Sequence, residues 1–233
     1  LKRYRDGEAG LPAHVEDYAF LTWGLLNLYE ATFVVRYLEA AVALNELTLK
    51  HFWDAKSGGF YMTADDGEKL LVRHKEIYDG AIPSGNSVAA LNLLRIGRIT
   101  GRVELEKRAE DVMKAFSGDV AKNPSAYTHL MQALDFAAGP SLEIVVAGDL
   151  QDVKTKALLK ALRKDFIPNK VIVHRPPEKD SPIVKLASYT EFQGPAKDGS
   201  PQVYVCRNYQ CKEPVGETRA LEKLLTEAFE SNP

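Results

Sequence analysis

The apolar positions of this 233-residue chain change their spacing once, near Gly139-Pro140. Before that point they recur at helical intervals; after it, short apolar runs alternate with helical stretches. Five helices are predicted in the first region, over about 16–31, 36–52, 84–100, 103–116 and 124–138. The first carries Phe20, Trp23, Leu26 and Tyr29 with Leu21, Leu25 and Leu28 around most of its circumference, and the third and fifth are similarly apolar. Helices of that kind are covered on several sides. The fourth instead surrounds a stripe of Leu105, Ala109, Val112 and Phe116 with charge, and the second is milder in the same sense, so both face solvent.

Apolar and amphipathic helices taking turns, with short links at 32–35 and Gly101-Arg102 and longer links on the other side, predict concentric antiparallel helical hairpins. That is the plan of an α/α toroid, of which this chain holds part. Its inner helices start at one end, so Glu16-Asp17-Tyr18, Ser84-Gly85-Asn86 and Ser125-Ala126-Tyr127 converge on one face. Helix N-termini favour acceptors there by roughly 0.3–1 kcal/mol each. Gly58 to Thr63 and Lys69 to Arg73, around Asp65-Asp66-Gly67, predict a β-hairpin over the same face.

The second region predicts strands at 143–147, 170–174 and 202–206, with helices over about 152–166, 183–187 and 217–229. Strand and helix alternation implies a small three-stranded α/β unit with right-handed crossovers. The fold class is therefore mainly α with a small α/β part, divided into 1–139 and 140–233.

A run of turn-forming and polar residues, Tyr78-Asp79-Gly80-Ala81-Ile82-Pro83-Ser84-Gly85-Asn86-Ser87, opens the third helix. Pro83 and Ser84 suit a helix start, and Gly85 permits close backbone approach. Asp79, Ser84 and Asn86 are accordingly the first candidates for a ligand pocket.

At 45% hydrophobic and 27% charged, with a net charge of −2 and basic residues scattered among acidic ones, the chain can bury a core and carries no basic footprint for nucleic acid or anionic membrane. No apolar run reaches the roughly 20 residues of a membrane span, and no signal peptide is visible. Ala147-Gly148-Asp149 follows a strand but matches neither a dinucleotide nor a phosphate-loop motif, so no cofactor is expected. His14, Glu16 and Asp17 have ligand chemistry without metal-site spacing, so no metal is expected either. Cys206 and Cys211 form no secreted disulfide framework, which points to a cytoplasmic protein whose thiols are reduced and structural; a disulfide or redox role for the pair is the alternative. Because the chain opens at Leu1 on sequence of mid-domain character, a fragment is expected. Its exposed inner flanks would then be covered by self-association or by a missing N-terminal part.

Glu16-Asp17-Tyr18-Ala19-Phe20, the block from Leu70 through Tyr78-Asp79-Gly80 to Ala90, Ser125-Ala126-Tyr127-Thr128-His129, Pro168-Asn169-Lys170 and Tyr204-Val205-Cys206-Arg207-Asn208 together resemble the YyaL family of thioredoxin-domain-containing proteins, which includes the spermatogenesis-associated proteins. The resemblance covers nearly the whole chain. It implies the later portion of such a protein: an α/α toroid similar to N-acylglucosamine 2-epimerases and six-hairpin glycosidases, followed by a small C-terminal part. No thioredoxin C-x-x-C motif is present in this chain, so the redox activity of the family name does not carry over.

Similarity to sugar-acting toroids implies a sugar-like small molecule as ligand. Epimerisation needs an acid and a base on opposite faces of the substrate, and glycoside hydrolysis commonly needs two carboxyl groups. Asp17, Asp79 and His129 are the candidate catalytic groups, with Glu16, Tyr18, Tyr78, Ser84, Asn86 and Tyr127 as ligand-binding residues. Structural roles compete with each. Asp17 suits a helix first turn, Asp79 a turn at Gly80, and His129 a hydrogen-bonded core position. The functional expectation is a sugar epimerase-like or glycosidase-like pocket completed in the intact protein, this chain alone being inactive. The alternative is a non-catalytic scaffold or protein-binding module.

Overall fold

A computed structural model of the chain describes residues 1–230, with side chains to residue 228. Two compact units are present: the first comprises Leu1–Gly97 and Arg102–Asp135, the second Arg98–Gly101 and the chain from Phe136 onward.

The first unit opens with a hairpin of β1 (Arg3–Arg5) and β2 (Glu8–Gly10). Asp6 and Gly7, at φ 54° and 84°, supply the left-handed pair that a two-residue hairpin turn requires. Helix α1 (Val15–Thr32) is followed by α2 (Val35–Phe52). Phe33 at φ 57° ends α1, its N–H bonded to Tyr29 O at 2.6 Å, and so short a link makes the pair antiparallel. The stripe Val15, Ala19, Thr22, Leu26 and Tyr29 of α1 and the stripe Leu38, Ala41, Asn45, Thr48 and Phe52 of α2 are buried. Full burial of each large apolar side chain contributes about 1.5–3 kcal/mol. The rest of α1 is not fully covered: Leu21 and Leu28 are 56% and 46% exposed.

Helix α3 (Gly85–Thr100) is buried along nearly its whole length, whereas α4 (Val103–Val120) buries only Leu105, Ala109, Val112, Phe116 and Val120. The contrast follows from the charge on α4. Asn92 Nδ2 donates to Ala19 O at 2.8 Å, and Arg95 pairs with Glu30 at 2.6 Å, tying α3 to α1. After a 3-10 turn at Pro124–Ala126, α5 (Thr128–Ala138) begins four positions later than the 124 start that its sequence suggests. The expected hairpin at 58–73 does not form among the described residues. Trp53 and Phe60 make one isolated bridge, and Met62 N–H bonds His74 O at 2.8 Å. Two features account for this: Gly58 and Gly59 sit at φ 75° and 77°, and the Arg73 guanidinium takes the carbonyls of His51 and Thr63.

The second unit contains a sheet in the order β4-β3-β5-β6, from β3 (Leu142–Ala147), β4 (Lys170–Arg175), β5 (Gln202–Arg207) and β6 (Gln210–Cys211), with α6 (Val153–Leu162), α7 (Pro182–Leu186) and α8 (Thr218–Glu230). Strands β3 and β4 are parallel, joined through α6. The sequence suggests three strands; the sheet has a fourth, and β5 runs antiparallel to β3. Asp152 caps α6 by accepting Thr155 N–H at 3.0 Å.

Candidate functional site

The residues proposed for a site in the first unit sit at the starts of α1, α3 and α5, and most of their polar atoms hold backbone. Ser84 caps α3: its Oγ accepts Ser87 N–H at 3.1 Å and lies 2.9 Å from Ser87 Oγ. Asn86, 1% exposed, accepts Phe60 N–H at 2.7 Å and donates to the carbonyls of Phe60 and Glu76 at 2.9 and 2.8 Å. Those three bonds bind the 52–84 connection to α3.

Asp79 is the hub. Its Oδ1 accepts Ser84 N–H at 2.9 Å, and its Oδ2 accepts the N–H groups of His129 and Leu130 at 2.8 and 3.1 Å. Its own N–H bonds Ala126 O at 3.0 Å. The carboxylate therefore supplies the acceptor that free amides at the starts of α3 and α5 need. This joins the Tyr78 and Tyr127 loops and brings the α5 start to the α3 start, as the sequence suggests. Tyr78 is 58% exposed, and Tyr127 is half-buried.

Asp17 accepts His14 N–H at 2.8 Å, a helix-capping contact three residues apart. Glu16 is half-buried, and a Cβ placed on Gly85 would come within 3.1 Å of its Cγ, so the α3 start presses on the α1 start. Tyr18 packs its ring on Phe52, with centroids 5.2 Å apart. His129 is 4% exposed with its ring 5.0 Å from that of Trp23, and its Nε2 has no protein partner. Burial lowers its pKa from the ordinary value, the Asp79 charge opposing, so the imidazole is held neutral. Among the candidate residues Tyr78 is exposed, Glu16, Asp17, Tyr18 and Tyr127 are half-buried, and Asp79, Ser84, Asn86 and His129 are buried.

A second polar cluster, which the residue pattern did not reveal, surrounds Asp54. Lys75 Nζ lies 2.8 Å from Asp54 Oδ2, Ser57 Oγ and Gly58 O, and Ser57 Oγ donates to Asp54 Oδ2 at 2.5 Å. The Lys75 contact, then that of Ser57, holds the Asp54 carboxyl far below the usual carboxylate range. Asp54 also accepts Lys56 N–H at 2.9 Å, so the cluster closes the turn before Gly58-Gly59. The signal was the Asp-x-x-Ser-Gly-Gly turn; Lys75, 21 positions away, had none. His51, Asp65 and Asp66 bring ligand-type atoms within 4.8 Å of one another. The His51 contact, with the Arg73 charge contributing less, lowers the Asp65 pKa from its ordinary value.

In the second unit Cys206 and Cys211 are joined in a disulfide, where the sequence reading favours reduced thiols. The reason is register: β5 and β6 pair Cys206 directly with Cys211. Beside them Arg98 Nη1 and Glu143 Oε1 form a buried pair at 2.5 Å. No helix among the described residues is long and apolar enough to cross a membrane.

No family model matches the chain. Among curated proteins it is similar to spermatogenesis-associated protein 20 of Homo sapiens, 35% identical over 212 residues that make up 91% of this chain and 27% of that protein. The Mus musculus protein of the same name is 34% identical over the same shares. An uncharacterised protein of Caenorhabditis elegans is 30% identical over 94% of this chain and 29% of its own length. The chain therefore spans between a quarter and a third of the length of these relatives.

Proposed function

The chain belongs to the family of spermatogenesis-associated protein 20, and from that premise we propose that it is a non-catalytic binding module within a longer, toroid-type protein of cytoplasmic setting. The observation that carries this is Asp79, whose carboxylate accepts three backbone N–H groups. Asp17 is likewise engaged, and His129 is buried. Apolar surface, by contrast, is open. Leu21 and Leu28 lie two helical turns apart on one face of α1, with exposed Gly24 between them. Proteins of the relatives' length hold ample further sequence to cover that face, and this is its occupant in our reading. With the chain alone, a second copy takes that place. Light scattering should find self-association that Leu21→Glu with Leu28→Glu abolishes without loss of helicity; a monodisperse wild-type monomer would refute the assignment.

A second reading, a sugar-like ligand handled by an epimerase-like or glycosidase-like site of the intact protein, draws on one arrangement. The Asp79–Ala126 bond joins two loops that carry the rings of Tyr78, exposed, and Tyr127, half-buried, and Glu16 at the α1 start lies against Gly85 of α3. Aromatic faces with nearby carboxylate and hydroxyl groups suit a hydroxyl-rich ring. An NMR titration with mono- and disaccharides should then shift resonances of these loops, with Tyr78→Ala and Tyr127→Ala weakening the response. Absence of any shift at millimolar sugar removes this reading and leaves the binding module.

A further inference from the structure

The β5–β6 hairpin encloses a cavity of about 120 Å³ lined by the disulfide, Gln193, Arg98, Glu143 and Tyr209. Its two sulfurs differ in access: Cys206 is 3% exposed, whereas Cys211 is exposed. An external thiolate reaches Cys211 first. Gln193 Nε2 points at both sulfurs, 3.3 Å from Cys211 Sγ and 3.7 Å from Cys206 Sγ. Gln193 is 9% exposed, and its Oε1 is buried with no hydrogen-bond partner. It is the Gln193 N–H, however, that faces the sulfurs, and a thiolate released on reduction accepts from it more strongly than a disulfide sulfur does.

A bracing role explains less. The bond spans a sequence separation of only five residues, so it restricts the unfolded chain little. The turn is already held by other contacts. Asn208 and Tyr209 occupy the left-handed region at φ 51° and 63°, Tyr209 N–H bonds Glu143 Oε2 at 3.2 Å, and the Arg98 guanidinium lies 5.2 Å from the Tyr209 ring centroid. These contacts keep the two cysteines opposite each other when the bond is open, so its re-formation is an intramolecular step.

We propose that Cys206 and Cys211 are a redox-active pair that undergoes thiol–disulfide exchange with a dithiol, Cys211 being the sulfur attacked and Cys206 the sulfur released. A thiolate of the partner forms a bond to Cys211 Sγ as the Cys206–Cys211 bond breaks, and Cys206 leaves as a thiolate within reach of the Gln193 N–H. It then takes a proton from solvent. The partner's second thiolate attacks the partner sulfur of the mixed disulfide, and Cys211 leaves as a thiolate and is protonated in turn. The chain gains two electrons and two protons, and the dithiol becomes a disulfide. Gln193 is a positioning residue in this scheme.

The test uses the folded chain with reduced dithiothreitol and, in a parallel arm, a reduced Cys-x-x-Cys peptide; glutathione disulfide then reverses the reaction. Thiols are counted by alkylation and mass spectrometry while circular dichroism follows the fold. Both cysteines should become alkylatable after reduction and protected after re-oxidation, with the dichroism unchanged. A faster rate with the peptide assigns the partner to a protein dithiol, an equal or slower one to a small molecule. Cys206→Ser should form a mixed disulfide with glutathione at least about tenfold faster than Cys211→Ser. If either variant misfolds, the order of alkylation in briefly reduced wild-type chain, read by peptide mapping, makes the same comparison. Gln193→Leu should move the redox equilibrium towards the disulfide by about three- to tenfold. Reduction that requires denaturant, or equal reactivity of the two cysteines, overturns the proposal; an unmoved equilibrium in Gln193→Leu overturns the role of Gln193.

Discussion

Asp79 shows how one carboxylate can organise a region through backbone amides. It is 8% exposed and satisfies amides from two helix starts, one of them 50 positions away in sequence. Removing it leaves buried donors unpaired, each costing about 1–3 kcal/mol. Asp79→Ala should therefore lower unfolding stability by about 3 kcal/mol, read as a shift in urea midpoint, and Asp79→Asn, which keeps an acceptor, should lose less. An unchanged midpoint for Asp79→Ala would mean that water replaces the carboxylate. The role of Ser84 was legible in the chain because a cap acts on amides within three residues of itself. That of Asn86 was not, since its partners are Phe60 and Glu76, and for His129 a core position was one of two readings while its Trp23 neighbour was not legible.

Helices were the most legible elements, because periodic apolar stripes and their breakers lie within the segment they describe. Their contacts were less so. Gly85 begins α3 where an added Cβ would sit 2.8 Å from Val15 Cγ1 and 3.2 Å from Glu16 N. The backbone of α1 cannot yield as a side-chain tip can. Gly85→Ala should destabilise the first unit by about 1–3 kcal/mol despite its better helix propensity, measurable by the same urea titration; a neutral or stabilising result would show that α1 shifts to accommodate it. The expected 58–73 hairpin failed because turn chemistry and alternation say nothing of a competing side chain, and Arg73 takes two carbonyls there. β6 escaped notice because two residues are too short for any periodicity.

Across the molecule, each unit buries one histidine whose pKa is lowered, His129 in the first and His174 in the second. Burial is the leading cause for both; the His174 ring nitrogen's contact with Gly148 O at 2.8 Å opposes it. The folded imidazoles stay neutral at pH values where the unfolded ones, with a pKa near 6.5, bind protons. More protons on the unfolded chain means that stability rises with pH in that window. Thermal stability should thus be full above about pH 6.5 and fall as pH drops from there towards the lowered folded values. His129→Gln should flatten this dependence for the first unit, and an unaltered slope would show that its imidazole is protonated in the fold.

The amino-acid sequence by itself determined the helices, the change of character near residue 139, the helix-starting role of Pro83-Ser84-Gly85 and the kinship that the 78–87 block carries. Each of these depends on interactions within a turn or two, or on residue order alone. Tertiary structure decided what the polar residues contact: it set Asp79, Asn86 and Asp17 against backbone groups, buried His129 against Trp23, and placed Cys206 opposite Cys211 beside the Gln193 amide nitrogen. Hydrogen-bond partners are chosen by proximity in space, and burial makes leaving them unpaired costly, so these partners could be read only once the chain was folded.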